Sequence, residues 1–163
     1  MQSELQLVVF ALDDQFYALY LTAVVRVIPA VEITALPKAP DIIIGVINVQ
    51  GQIIPVVDVR KRFKLPKQEL TDTDQFIIAN THDRAVVIIA DKVNGTIEYS
   101  TQDQVQAEKI APGLDYIDGV VKLEDGMVLI HDLDKFLSLD EIHSLDLALN
   151  NVASKTGGKH VAS

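Results

Sequence analysis

The stretch GVINVQGQIIPVVDVRKRF, residues 45–63, combines two glycines, a run of β-prone residues, an aspartate and a basic tail. Its composition predicts two strands, residues 42–49 and 53–57, joined by a tight turn around Gly51. Gly51 can adopt the positive φ that such a turn requires. A phosphate-binding loop would need a lysine and a hydroxyl residue after its second glycine, whereas Gln52 follows here. The stretch therefore predicts a β-hairpin and not a nucleotide site.

The end of the same stretch predicts a strand that leads into one helical turn. Pro55 has no N–H group, so its strand either lies at a sheet edge or has its ladder interrupted there. Asp58 stands where a helix cap belongs, and its carboxylate would accept from the free amides of the next turn, worth about 1 kcal/mol. Val59 and Phe63 are four residues apart and would share the buried face of that turn.

The pattern recurs 74 residues later as GVVKLEDGMVLIHDLDKF, residues 119–136. In both copies the aspartate lies thirteen positions after the first glycine. The shared positions are Gly45, Gly51 and Asp58 in the first copy and Gly119, Gly126 and Asp132 in the second. A weaker similarity relates residues 8–21 to residues 76–90. Two copies are too few for a solenoid, so the repeat predicts two related lobes.

Composition limits the function classes. A chain of 163 residues forms one ordinary domain or two small lobes that must share a core. No apolar run reaches the length of about 18 residues that a membrane span needs, and the first residues carry no basic region of a signal peptide. The absence of cysteine removes disulfide and thiolate chemistry and is typical of a cytoplasmic protein. A net charge of −9 disfavours nucleic acid and anionic membranes as partners.

Ten short stretches are typical of strands and are separated by turn-forming residues. They are residues 5–12, 16–21, 24–29, 42–49, 52–57, 74–80, 84–90, 93–99, 116–122 and 127–130. Five strands in each half predict two small barrels, which remove exposed sheet edges by closing on themselves. We expect one lobe over residues 5–70 and the other over residues 71–138.

The C-terminal part has the one substantial helix signal. Asp140 precedes a run of periodic leucines and is expected to cap a helix over residues 139–150. Residues 151–163 are small and polar, and we expect them to form a disordered tail. Residues 1–150 would then make up a single domain.

Residues that could support catalysis or bind a metal are scarce. The four histidines are not spaced as metal ligands, and no serine lies in a Gly-x-Ser-x-Gly elbow. Paired acidic residues fall in turns, where turn chemistry explains them. His131 ends a strand beside Asp132, which is expected to cap the next turn, and we interpret this histidine as a hydrogen-bonded structural residue. We expect no catalytic residue, no metal and no cofactor.

Residues 45–59, which read G-V-x-N-V-x-G-x-I-x-P-V-V-D-V with Asn48 and Pro55 at motif positions, resemble the signature of the CheW family of bacterial chemotaxis adaptors. The resemblance extends through residues 10–28 and 119–148 and covers about residues 5–150. It implies an all-β fold of two five-stranded Src-homology-3-like barrels packed on a shared hydrophobic core, with a short C-terminal helix and no catalysis. It also implies two partners, the cytoplasmic tip of chemoreceptors and the CheW-like regulatory domain of a CheA-type histidine kinase.

Two positions depart from the family pattern. The family usually has Asn-Leu-Arg-Gly where this chain has Val49 and Gln50 inside Asn-Val-Gln-Gly, and it often has a glutamate where this chain has Arg26, two residues after Val24. If the two sites lie on neighbouring strands, glutamine at position 50 avoids placing two like charges together. We expect these four residues to bind partners in a divergent chemosensory pathway.

A small-molecule-binding regulatory barrel protein, with a pocket between the lobes, is the alternative function. Exposed apolar patches at strand ends would favour the adaptor, whereas a closed pocket with converging polar groups would favour the alternative.

Overall fold

The structure is a computed structural model that describes residues 4–106, 116–124 and 126–162. Its strands are β1 (Glu4–Leu12), β2 (Gln15–Tyr20), β3 (Val24–Pro29), β4 (Ile43–Val49), β5 (Gln52–Val57), β6 (Gln75–Asn80), β7 (Ala85–Ala90), β8 (Lys92–Ser100), β9 (Gln104–Gln106), β10 (Ile117–Leu123) and β11 (Gly126–His131). Its helices are α1 (Val59–Arg62) and α2 (Leu139–Ala162), with short 3₁₀ turns at Leu21–Ala23, Thr101–Asp103 and Leu133–Lys135. All ten predicted strands are present to within two residues, and β9 is additional. Among the described residues, no helix combines the length and hydropathy of a membrane span.

The strands form two sheets. Sheet A has six strands in the order β8-β1-β2-β11-β10-β9, and sheet B has five in the order β3-β6-β7-β5-β4. Neighbouring strands are antiparallel except for the pairs β2–β11 and β5–β7, which are parallel. The all-β prediction is confirmed, and sheet A exceeds the expected five strands because β9 adds a short ladder to β10.

The predicted division into lobes over residues 5–70 and 71–138 is wrong, because the two halves exchange their first hairpins. The first half supplies β1 and β2 to sheet A and β3, β4 and β5 to sheet B. The second half supplies β6 and β7 to sheet B and the remaining strands to sheet A. Asp91 alone connects β7 to β8. One residue cannot form a hairpin turn, which needs about two, so β8 continues into the other sheet.

Three apolar clusters explain how the sheets are held. One lies inside sheet A around Leu7 and Val128, and one inside sheet B around Phe76 and Val56. The largest cluster joins the two sheets and includes Phe10 from sheet A together with residues of sheet B and α2. The expected shared hydrophobic core is therefore present.

The repeated hairpins are equivalent in detail. The register of β4 with β5 shifts by one residue just before Gly45, and that of β10 with β11 shifts just before Gly119. At the far end of each hairpin, the backbone N–H groups of Asp58 and Asp132 donate to the residue before the first strand at 2.7 and 2.9 Å. The two aspartates occupy equivalent corners, as the repeat predicts.

Close approach of another segment explains why each copy begins with glycine. A Cβ atom on Gly45 would lie 2.7 Å from Cγ2 of Ile33 and would also collide with the backbone carbonyl of Thr34. A Cβ atom on Gly119 would lie 2.9 Å from Cδ of Gln104. The two clashes differ in kind, because one involves backbone and the other a flexible side chain.

Beyond the hairpins, the two corners differ. The carboxylate of Asp58 accepts from the N–H of Lys61 at 3.0 Å and caps α1, as predicted. Asp132 makes no such cap, because a tighter 3₁₀ turn follows it, and its carboxylate lies 3.8 Å from the ammonium of Lys135. Pro55 lies in β5, which is an inner strand and not an edge strand, but the ladder between β5 and β7 begins only at Val56.

Helix α2 is longer than expected and has a different cap. It continues to Ala162, so the expected end at residue 150 and the disordered tail are wrong for residues 151–162, and Ser163 lies outside the described residues. The helix can continue because no proline interrupts it after Leu139. Ser138, and not Asp140, forms the cap: its N–H donates to Glu141 at 2.8 Å, and its hydroxyl accepts from the N–H of Glu141 at 3.1 Å.

Two ion pairs hold α2 against the sheets. The guanidinium of Arg62 donates to both carboxylate oxygens of Glu141 at 2.7 and 2.8 Å. The guanidinium of Arg84 pairs with Asp146. Leu145 is fully buried between these two pairs and belongs to the shared core.

We expect Glu141→Gln to lower the free energy of unfolding by about 1 kcal/mol at neutral pH, because it weakens the cap and the Arg62 ion pair together. Burial raises the pKa of Glu141, but the bonds from Ser138 and Arg62 outweigh burial and hold this pKa below its usual value. The contribution of Glu141 to folding stability is therefore fully present above the pKa that this residue has in the unfolded chain, and it is lost as pH falls. Denaturant unfolding at several pH values would measure it. An equal loss in Asp140→Asn, an exposed neighbour, would contradict the assignment.

Candidate interaction surface

The four predicted partner-binding residues lie on sheet B. Val24 and Arg26 belong to β3, whereas Val49 and Gln50 lie at the turn between β4 and β5. Strands β3 and β4 are the two end strands of this sheet and are not neighbours in its ladder. The cross-strand partner of Arg26 is Ile78. The hypothesis that glutamine at position 50 avoids a like charge on a neighbouring strand therefore loses its premise.

The outer surface of β3 is more apolar than the sequence reasoning assumed. Val25 is 52% exposed and Val27 is 37% exposed, and both flank the exposed Arg26. These three consecutive exposed residues form what we call the β3 face, although the side chains of Arg26 and Val27 leave the edge strand on opposite sides of the sheet. Val24 and Ile28 instead pack against the shared core and the sheet B core, respectively. The two exposed valines were missed because a register shift between Val24 and Arg26 breaks the alternation expected along a strand.

The turn between β4 and β5 is held in a defined conformation. The side-chain oxygen of Asn48 accepts from the N–H of Gly51 at 2.8 Å, which explains the asparagine of the motif. Gln50 has φ of 52° and Gly51 has φ of 88°, the two positive values that a tight hairpin turn requires. The exposed side chain of Gln50 therefore projects from a fixed backbone.

Both repeated hairpins expose apolar side chains near their turns. Ile53 at the β4–β5 turn is 43% exposed, and its equivalent Met127 at the β10–β11 turn is 48% exposed. Leu123 beside Met127 is 37% exposed. Apolar exposure at strand ends is the pattern expected of an adaptor and not of a protein that encloses a ligand.

The two corners each border a cavity, and the repeat relates the two cavities. The cavity beside α1 has a volume of about 620 Å³, and the one beside the 3₁₀ turn after β11 has about 310 Å³. Their chemistry differs, because Ile44 and Ile89 of the first correspond to Asp118 and Tyr20 of the second. The tyrosine hydroxyl donates to the aspartate there. Within the part of the chain that the structure describes, no group of three metal-ligating side chains comes together.

His131 lies in an aromatic cluster and also borders the smaller cavity. It is 2% exposed, and its ring lies 4.7 to 5.3 Å, between centroids, from Phe10, Tyr17, Phe63 and Phe136. Neither ring nitrogen has a hydrogen-bond partner among the described residues, so the expected hydrogen bonding is wrong. Burial lowers the pKa of His131 to about 3, which keeps the ring neutral. The equivalent residue of the first copy is Val57, an apolar side chain.

These features define a class of protein: an all-β interaction module of two linked sheets with exposed apolar strand ends. The CheW-like domain model matches residues 6–141, and the chain belongs to the CheW-like domain family. The chemotaxis protein CheW of Bacillus subtilis (strain 168) is 30% identical over 141 residues, covering 85% of this chain and 90% of that protein. The chemotaxis protein CheW of Treponema pallidum (strain Nichols) is 28% identical over 148 residues, covering 87% of each.

A solved structure agrees with this assignment. The crystal structure of the scaffolding protein TtCheW from Thermoanaerobacter tengcongensis matches with a TM-score of 0.78 and 28% identity, covering 85% of this chain and 96% of that one. The predicted family and the prediction of a chemotaxis adaptor are confirmed, and the small-molecule-binding alternative is not favoured.

Proposed function

We propose that this chain is a non-catalytic adaptor that holds the cytoplasmic tips of chemoreceptors and the regulatory domain of a CheA-type histidine kinase in one cytoplasmic complex. The observation that carries the proposal is the β3 face, an exposed cation between two exposed valines on an edge strand. Family membership supports it. The expected absence of a catalytic, metal or cofactor site is part of the same proposal.

The β3 face has the properties of a docking surface. Val24 and Ile28 anchor the strand to two cores, so the outward side chains start from a fixed backbone. Exposed apolar residues beside a cation on an edge strand suit an amphipathic helix packed against that edge. Among the described residues, no carboxylate pairs with Arg26, so its guanidinium is available for a forked bond to a carboxylate of the partner. The proposed partner segment is therefore helical and carries an acidic residue.

We expect Arg26→Glu to weaken binding by about 1–3 kcal/mol if the arginine is a buried anchor of the interface. Calorimetric titration with the kinase regulatory domain and with a receptor-tip peptide would measure the loss for each partner. Lys92→Glu, which makes the same charge change at an exposed site on β8, at the opposite end of sheet A from the β10–β11 turn, is the matched control.

The reversal Arg26→Glu with Gln50→Arg tests partner choice. It should redirect binding toward receptor tips of conventional pathways if the two positions encode specificity. Unchanged affinity for both partners, in a variant that still folds, would show that the interface lies elsewhere on the sheets.

A further inference from the structure

One buried arginine joins parts of both sheets. Arg60 lies in α1, directly after the last strand of the β4–β5 hairpin in sheet B. Its Nη1 donates to both carboxylate oxygens of Asp13 at 3.0 and 3.2 Å, and its Nη2 donates to both oxygens of Asp91 at 2.9 and 3.0 Å. Asp13 lies in the β1–β2 turn of sheet A, and Asp91 is the link between the sheets. The arginine side chain is only 13% exposed.

Backbone groups complete this network, which we call the Arg60 clasp. The N–H of Asp13 donates to the carboxylate of Asp91 at 2.7 Å, and the N–H of Asp91 donates to the carbonyl of Ala11 at 3.0 Å. Two carboxylates therefore converge on one cation. Without the cation they would repel each other, so the network holds its geometry only while the guanidinium is in place.

The repeat places a second contact at the equivalent corner. Asp134 corresponds to Arg60, and its carboxylate accepts from the backbone N–H of His82 at 2.5 Å. His82 lies in the turn between β6 and β7, the hairpin that the second half gives to sheet B. Each corner thus contacts the turn of the hairpin that belongs to the other sheet. The first contact comprises two charge-assisted bonds to Asp13, supported by two more to Asp91, and the second a single bond from a neutral donor, so the first is the stronger.

We propose that Arg60 is a positioning residue that fixes the orientation of sheet A relative to sheet B. The apolar core between the sheets favours their contact but is not directional. Directional bonds must therefore set the angle, and the Arg60 clasp supplies two to the β1–β2 turn of sheet A and two to the link between the sheets. The consequence for partner binding rests on the proposed function. The β3 face and the β10–β11 turn lie on different sheets, so the position of one relative to the other depends on this clasp.

Distances between spin labels on the two sheets test the proposal in the full chain. The chain has no cysteine, so Gln52→Cys in β5 and Lys122→Cys in β10 introduce a unique labelled pair at exposed sites. Double electron–electron resonance should give one narrow distance distribution for the parent protein. Arg60→Met should broaden or shift it, because the apolar stem remains but the charge is lost. Lys61→Met, an exposed change on the same helix, should leave the distribution unchanged.

A second variant distinguishes a changed orientation of the sheets from unfolding of the protein. Arg60→Met alone leaves Asp13 and Asp91 facing each other, whereas adding Asp13→Asn and Asp91→Asn removes the repulsion. We expect the triple variant to keep native circular dichroism and to show the broadened distribution. A folded triple variant with the parent distribution would overturn the proposal.

Binding measurements separate this proposal from the proposed function. Arg60→Met should leave the affinity of a partner that touches only the β3 face unchanged and should weaken assembly of the ternary complex with kinase domain and receptor tip. Unchanged ternary assembly despite a broadened distribution would show that partner binding does not depend on the angle between the sheets, and would overturn the functional consequence of the clasp. Failure of the parent protein to bind either partner would overturn the proposed function, while the label distances would still decide whether Arg60 orients the sheets.

Discussion

Gly45→Ala should destabilise the protein by about 3 kcal/mol, whereas Gly119→Ala, at the equivalent position of the second copy, should cost about 1 kcal/mol. The new methyl group at position 45 collides with the carbonyl of Thr34. That carbonyl cannot move away, because Thr34 and Val46 exchange two backbone hydrogen bonds of 2.8 and 2.9 Å. The clash at position 119 meets the side chain of Gln104, which can rotate.

Denaturant unfolding of both variants would measure the difference. The Gly119 variant still loses some stability, because the side chain of Gln104 must move. Its side-chain oxygen accepts a hydrogen bond from the hydroxyl of Tyr99 at 3.0 Å. Equal losses at the two positions would contradict the assignment of the first clash to rigid backbone. A larger loss at Gly119 would contradict it more strongly.

His131→Leu should stabilise the protein by about 1–2 kcal/mol at neutral pH, because it removes two buried nitrogens that lack partners among the described residues while keeping a similar volume. The first copy already has an apolar residue there, Val57, which is 1% exposed. A loss of stability in the leucine variant would show that the aromatic cluster depends on the imidazole ring itself.

The same substitution should reduce the acid sensitivity of the fold. The pKa of His131 is lowered from 6.5 to about 3 by burial, so between these values the unfolded chain binds a proton that the folded chain excludes. Stability is therefore full above about pH 6.5 and is lost by up to about 1.4 kcal/mol per pH unit as pH falls. The difference between parent and leucine variant, followed by chemical unfolding from pH 7 to pH 4, isolates this group from the carboxylates. A difference that does not vary with pH would contradict the assignment.

Local pattern was sufficient for the strands and for the first corner, because both depend on neighbouring residues, whereas the cap expected of Asp132 at the second corner is not formed. Asp58 caps α1 and Gly51 takes a positive φ, as turn chemistry requires. The exchange of hairpins was beyond such reasoning, since strand pairing depends on how a connection directs the chain. The single residue Asp91 between β7 and β8 was not visible as a connection, because the predicted strands ended near it without a defined turn.

The interaction surface was predicted in part for a similar reason. Arg26 was singled out by its departure from the family pattern, whereas the exposure of Val25 and Val27 belongs to an edge strand whose pairing with β6 shifts register, and neither feature is visible in the sequence. The charge network was not predictable either, because Asp13 and Asp91 are 78 residues apart in sequence. Contacts of that separation arise from the fold as a whole and leave no local signal.

The exchange of hairpins also fixes the order in which the sheets can close during synthesis. All strands of sheet B have left the ribosome once Ala90 has emerged. In sheet A, β2 lacks one of its two neighbouring strands until β11, which ends at His131, has been synthesised. At about 5–20 residues per second, this delay lasts about 2–8 s. During that interval the nascent chain presents an apolar strand with one unsatisfied edge, a template for unwanted pairing with a neighbouring chain. The chain is therefore open to such pairing after its first sheet is complete and before its second can be.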